Sequence, residues 1–218
     1  MLLGFVAANA TLVLVAVLIL SGRPASPPLI QGVFLPKANA LEAFELLDHN
    51  GSRFSNANLN GSWHLVSYGF TTCPDICPTT LSQLATVAKE LKARGMNDLN
   101  ILFYSVDHRR DTSEKLALYM PYFHPDFLGL THVDDPENPH LPFEKGLGIA
   151  AQLTPTEEEA APNGANNYQV SHGVSLLLIN PNGELQAVFE PDETSPGVHS
   201  FNPDKLIADY LAIRHYLG

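Results

Sequence analysis

The chain opens on an apolar block that has no polar stripe. Leu2 to Leu20 contains no charged residue, and Asn9 and Thr11 are its only notably polar members. As a helix rising about 1.5 Å per residue, it would cross most of a ~30 Å hydrocarbon core. A helix packed on a globular core would show one polar face, and this block shows none. A cleaved signal peptide would begin with basic residues and end at a small-x-small site. No basic residue precedes the block, no such site follows Leu20 directly, and Ala38-Asn-Ala40 comes too late. The pattern predicts a transmembrane anchor over residues 1–21. Pro24, Pro27 and Pro28 make residues 22–30 an extended, Pro-rich tether, because proline and the residue before it both resist helix. One globular domain is expected over residues 31–218.

Within that domain the hydrophobic period switches between strand and helix. Phe44–Leu47 reads as a strand entering the turn Asp48-His-Asn-Gly51, and His64–Phe70 as a compact apolar strand. Leu81, Leu84, Ala85, Ala88 and Leu91 fall on one helical face, and Gly95 is a stop after Arg94. Asn100–Val106 is the next strand. Asp111 with Glu114 predicts a capped helix running to about Phe123. A short strand over 127–131 and a short helix over 138–149 follow. Thr154–Gln169, acidic and rich in Ala, Asn and Pro, reads as a surface loop. Val170–Ile179 and Glu184–Phe189 flank Asn180-Pro-Asn-Gly183 as a β-hairpin. Asn202-Pro203 starts a last helix with Leu206, Ile207, Tyr210, Leu211 and Ile213 on its apolar face. Strands alternating with helices, then a hairpin and a helix, predict an α/β fold. The expected architecture is a three-layer sandwich close to a thioredoxin-like plan.

Composition narrows the chemistry. Of 218 residues 45% are apolar, enough for a substantial core. The net charge of −11 excludes a phosphate-neutralising surface, and with it a nucleic-acid partner. The acidity is uneven: residues 1–125 hold nine acids and nine bases, residues 126–218 fourteen acids and three bases. A solvated surface explains Asp134-Asp135 and Glu157-Glu158-Glu159, as would a docking face for a basic partner. Two cysteines, Cys73 and Cys77, are too few for a disulfide scaffold, a four-cysteine zinc site or a cysteine-ligated iron–sulfur cluster.

Cys73-Pro-Asp-Ile-Cys77 stands where a strand runs into a helix. Four helical residues span about 6 Å and return to one face, a separation that permits a reversible disulfide. The positive end of the helix dipole should favour thiolate there. A plain structural bridge is a poor alternative, since so short a loop restrains the unfolded chain little. Two thiolates on one face also suit a soft metal such as copper(I) or zinc, given a third donor. Nine histidines are available. His64 reads as a strand side chain, while His49, His124, His132, His140, His199 and His215 read as loop or surface positions. His108 follows a strand end. His172, in Val170-Ser-His-Gly-Val-Ser, has Gly173 beside it, where the backbone can turn the ring toward a cleft.

Gly69-Phe-Thr-Thr-Cys-Pro-Asp-Ile-Cys-Pro78 resembles the signature of the Sco/SenC family, thioredoxin-like, membrane-anchored copper chaperones of cytochrome c oxidase assembly. Ser105-Val-Asp-His-Arg-Arg-Asp-Thr112, Gly129-Leu-Thr131, and Val170-Ser-His-Gly with Leu178-Ile-Asn-Pro-Asn-Gly183 resemble three further blocks of that family, in its order. His108 and Ser113 depart from it, standing where the family often has prolines. The resemblance implies copper ligands at Cys73, Cys77 and His172, with Cys73 and Cys77 also a redox pair that closes to a disulfide.

The expected function is a metallochaperone delivering copper to the copper-site (CuA) subunit of cytochrome c oxidase, loaded by a periplasmic copper donor. The resemblance further implies a single pass through a bacterial inner membrane, by residues 2–20, with the C-terminal domain in the periplasm. Basic residues around the block give that orientation no support: none precedes it and Arg23 follows it. The alternative is an enzyme, a thiol–disulfide oxidoreductase or peroxidase that reduces the oxidase's copper-site cysteines with Cys73 attacking. That reading needs no His172, and the usual oxidoreductase motif separates its cysteines by two residues rather than three.

Overall fold

The computed structural model describes residues 26–156, 168–195 and 198–218. The anchor expected over 1–21 and the first part of the tether lie outside them, and no described helix is long and apolar enough to cross a membrane. Residues 26–30 have no regular structure. The strands, in chain order, are β1 (Gly32–Ala40), β2 (Glu45–Asp48), β3 (Arg53–Ser55), β4 (Trp63–Gly69), β5 (Leu99–Ser105), β6 (Leu128–His132), β7 (Ala151–Pro155), β8 (Tyr168–His172), β9 (Leu176–Ile179), β10 (Glu184–Phe189), β11 (Asp192–Ser195) and β12 (Val198–Ser200). The helices are α1 (Asn56–Leu59), α2 (Ile76–Ala93), α3 (Ser113–Tyr119), α4 (Leu141–Leu147) and α5 (Pro203–Leu217).

One mixed sheet runs in the order β1-β10-β9-β4-β5-β6-β2-β3. Its centre, β4-β5-β6, is parallel, and antiparallel strands flank it on both sides. Both faces are buried. Leu65, Phe103 and Leu178 lie under Leu81, Leu84 and Leu91 of α2 and Ile207 and Ile213 of α5. On the other face Val66, Tyr68, Leu102, Tyr104 and Leu177 pack with Phe44, Phe54 and Phe143 of α4. Burial on both faces explains why the central strands read as unbroken apolar runs rather than alternating ones. The mixed α/β sheet between helical layers is the architecture the periodicity predicts. The Asn202 side chain caps α5, accepting from Asp204 N at 3.0 Å and Lys205 N at 3.2 Å.

Three local expectations are corrected. First, β1 has no counterpart in the sequence reading. It is an edge strand, mostly exposed, and its pairing with β10 slips between Phe34 and Asn39, around Pro36. An edge needs no alternating apolar face, and it tolerates proline at a bulge.

Second, Val170–Ile179 is not one strand. β8 pairs with β7 in a separate two-stranded sheet, and the chain breaks at residues 173–175 before β9 joins the main sheet. Parts of the expected surface loop are therefore strand, while residues 157–167, including Glu157–Glu159, lie outside the described residues.

Third, Thr112 rather than Asp111 caps α3, its side chain accepting from Lys115 N at 3.4 Å. Asp111 is wholly buried and serves the cysteine loop instead.

Candidate metal centre

The cysteines lie where β4 leaves the sheet and α2 begins. Cys73 is half-buried in the loop, and Cys77 is buried in the first turn of α2. Both are free thiols, and Cys73 lies near enough to act on the protonation of Cys77. Gly69 makes room for Cys77: a Cβ there would stand 2.5 Å from Cys77 Sγ, where no atom fits.

The loop is pinned by the buried Asp111. Its carboxylate accepts from Thr71 N at 2.7 Å, Thr71 Oγ1 at 2.5 Å, Ser105 Oγ at 2.7 Å and Lys115 Nζ at 3.1 Å. A buried carboxylate is tolerated when its lone pairs are filled in this way.

His172 ends β8. Its Nδ1 lies 2.5 Å from the Gly173 carbonyl oxygen. Only N–H can satisfy a carbonyl, so Nδ1 carries the proton and Nε2 keeps a free lone pair. That Nε2 is 3.9 Å from Cys77 Sγ. Tyr68 and Phe70 hold the ring edge-on, with centroids at 5.8 and 5.7 Å. Gly173 permits the approach, since a Cβ there would meet the Tyr68 hydroxyl at 2.5 Å.

The β7-β8 hairpin is tied to the same segment that pins the cysteine loop. Arg110 lies over the Tyr168 ring at 4.1 Å, donates from Nη1 to Tyr168 O at 3.3 Å, and pairs through Nε with Asp107 Oδ2 at 2.5 Å. The Tyr168 hydroxyl donates to Asp107 Oδ1. Residues 105–112 therefore hold the thiol loop through Asp111 and the histidine hairpin through Asp107 and Arg110. Sequence reasoning singled out this block without giving it a role.

Burial, reinforced by the nearby Cys73, pushes the Cys77 thiol well above its ordinary range. The expectation that the helix dipole favours thiolate is overridden at Cys77, because desolvation acts on the whole charge and the dipole on a fraction of one. Burial likewise lowers the His172 pKa, against a smaller opposing effect of the Gly173 carbonyl. The resting site is thus a thiol facing a neutral imidazole. Such a set repels no incoming cation, and it offers one nitrogen lone pair without any proton loss.

Among the other histidines, His64 is a buried β4 side chain beside Asn100, as the strand pattern implies. His49 Nδ1 accepts from Gly129 N at 2.9 Å. His132 and His140 are not the surface positions expected. His140 is buried, and with His108 the two rings form a stack, centroids 4.1 Å (His108–His132) and 3.6 Å (His132–His140) apart. The signal for His132 was available: Leu128 and Leu130 face the core, and a strand's period of two sends residue 132 the same way.

A family model described as SCO1/SenC matches residues 35–200. A Stutzerimonas stutzeri protein named for copper binding is 36% identical over 155 residues, 71% of each chain. A human mitochondrial protein, the SCO2 homolog, is 36% identical over 142 residues, 64% of this chain and 50% of its own length. In three dimensions the chain is similar to Arabidopsis thaliana ScoI with copper bound, at TM-score 0.63 and 28% identity, covering 81% of this chain and 99% of that one.

Proposed function

The chain belongs to the SCO1/SenC family, and on that premise we propose that it is a copper-binding assembly factor that carries copper(I) on Cys73, Cys77 and His172. One observation carries the reading: the unprotonated His172 Nε2 stands 3.9 Å from Cys77 Sγ, and Cys73, in the loop four residues earlier, is the third donor, which has to swing in to complete the set. A soft metal bonded at about 2.3 Å to sulfur and about 2.0 Å to nitrogen, with about 120° between the bonds, separates those atoms by about 3.7 Å. Two sulfurs and one imidazole also favour copper(I) over harder cations.

Loading replaces the thiol protons, and the metal is held until a better ligand set competes for it. The proposed acceptor is the copper-site subunit of cytochrome c oxidase, with a periplasmic protein as copper donor. Residues 2–20 anchor the domain to a bacterial inner membrane, with the domain on the periplasmic side. Loss of two electrons and two protons to an external oxidant would join Cys73 and Cys77 in a disulfide and remove the soft site.

The test is chelator-competition titration of copper(I) against the reduced and oxidised protein. The reduced protein takes one equivalent. Oxidised protein, Cys73→Ser and Cys77→Ser lose it, and His172→Ala weakens it tenfold or more. Undiminished binding by the His172 variant would falsify the three-donor site.

A second reading has its own observation. Cys73 is half-exposed while Cys77 is buried, the arrangement of an attacking and a resolving thiol. Turnover of a model disulfide by metal-free protein at a rate set by Cys73 would favour that thiol–disulfide exchange role.

A further inference from the structure

On the far side of the sheet from α2, the stacked histidines meet a carboxylate. His132 and His140 each offer a ring nitrogen and Glu144 an oxygen, all within 4.8 Å of one another. His132 closes β6 on the α4 face of the sheet, and His140 and Glu144 flank the first turn of α4. His132 Nε2 lies 3.6 Å from Glu144 Oε1. The Tyr104 hydroxyl donates to Glu144 Oε1 at 2.6 Å and stands 2.7 Å from His132 Nε2.

His140 is the unexplained member. It is only 8% exposed, yet its Nδ1 has no hydrogen-bond partner. A buried ring nitrogen left unpaired costs about 1–3 kcal/mol, so something is expected to fill it. A cleft of about 540 Å³ gives access: His108, His132 and His140 line it, with Asp134 and Asp135 nearby and Arg109 as its one lysine or arginine. None of its lining residues belongs to the Cys77–His172 cleft.

We propose that His132, His140 and Glu144 form a second metal site, separate from the cysteine site, for a divalent ion of borderline softness such as zinc(II) or copper(II). Two imidazoles and a carboxylate are the donor set of such ions, whereas the thiol site selects a soft monovalent one. Tetrahedral metal–ligand bonds of about 2.1 Å hold their donors about 3.4 Å apart, so donors that now lie up to 4.8 Å apart must draw together. Rotation of Glu144, whose side chain is partly exposed, supplies part of that movement, and the His140 ring must also turn out of its stack on His132, because an imidazole lone pair lies in the ring plane. Tyr104 stays as a hydrogen-bond donor orienting the carboxylate, the kind of support that tunes metal sites. The acidic pair Asp134-Asp135 lines the mouth and adds negative potential there.

The test removes the first site. The full-length Cys73→Ser/Cys77→Ser/His172→Ala chain is titrated with zinc(II) at pH 7 and, separately, copper(II) is followed by electron paramagnetic resonance. One equivalent of zinc is expected, together with a copper(II) spectrum showing nitrogen coupling. Adding His140→Ala weakens zinc binding tenfold or more. That change also removes a buried ring stacked on His132, so circular dichroism checks that the fold is kept. Glu144→Gln keeps the shape of the carboxylate and is expected to weaken zinc binding by a similar factor. No stoichiometric zinc in the triple variant, or undiminished binding in either added variant, overturns the assignment. Because the cysteine site is absent throughout, the result does not depend on the copper(I) reading.

Discussion

At the scale of the residue, the thiol site depends on what is missing from it. Gly69 has no Cβ because the Cys77 sulfur fills that place, so Gly69→Ala must displace the sulfur or the strand. Overpacking of this kind costs about 1–3 kcal/mol. The expected outcome is a lowered denaturation midpoint together with at least tenfold weaker copper(I) binding by chelator competition; unchanged binding would show that the sulfur position is not critical.

His64 makes a different residue-scale prediction. Burial lowers its pKa from 6.5 to about 4. As pH falls from 6.5 toward 4 the unfolded chain takes up a proton that the folded chain refuses, so stability drops. The full shift is worth roughly 3 kcal/mol. Urea midpoints measured between pH 7 and 4 should fall, and should fall less steeply in His64→Leu. His140, also lowered to about 4 by burial, keeps part of the slope.

At the scale of the element, one short segment coordinates two others. Residues 105–112 join the loop between β4 and α2 to the β7-β8 hairpin, which belongs to a different sheet. Asp111→Asn would put an amide donor in place of one carboxylate oxygen, facing either Thr71 N and Ser105 Oγ or Thr71 Oγ1 and Lys115 Nζ, groups that now donate to it, at a cost of roughly 2–4 kcal/mol. Denaturant unfolding checks the loss. Lys115→Met, which removes only the partly exposed partner, is expected to cost under about 1 kcal/mol. Equal losses in the two variants would mean that charge pairing, rather than the hydrogen-bonded loop, sets the energy.

The same segment shows why some elements were legible in the sequence and others were not. The strands β4 and β5 and the helix α2 announce themselves by apolar runs and helical spacing, because burial selects the residues directly. Asp111 looks like a helix cap, since a carboxylate before a helical segment is read locally. Its actual partners, Thr71 and Ser105, are distant in sequence or belong to another strand. The break after His172 was likewise hidden: Val170–Ile179 is continuously strand-like in composition. Tyr168–His172 nonetheless pairs with β7 while Leu176–Ile179 pairs with β4 and β10.

At the scale of the whole molecule, a buried mixed sheet separates two clusters of chemistry, thiols and imidazole on one side, imidazoles and carboxylate on the other. The proposed anchor belongs to this scale as well. A chain lacking residues 1–25 keeps both cores described above, so it should fold, bind copper(I) as before and move from the membrane to the soluble fraction. Recovery of the truncated chain in the membrane would place the attachment elsewhere. A reporter fused to the C-terminus, active only outside the cytoplasm, tests the orientation independently.

The sequence by itself determined the α/β layering, the cysteine pair at a strand-to-helix junction, and the family through motifs in order. Local composition and spacing carry each of these, since they follow from hydrophobic period and chain connectivity. Only the tertiary structure decided that His172 turns its free nitrogen to Cys77, that burial opposes the helix dipole at that sulfur, and that His132, His140 and Glu144 converge. Those outcomes depend on which segments meet across the sheet and how much water they exclude, and neither quantity is a property of any stretch of sequence read alone.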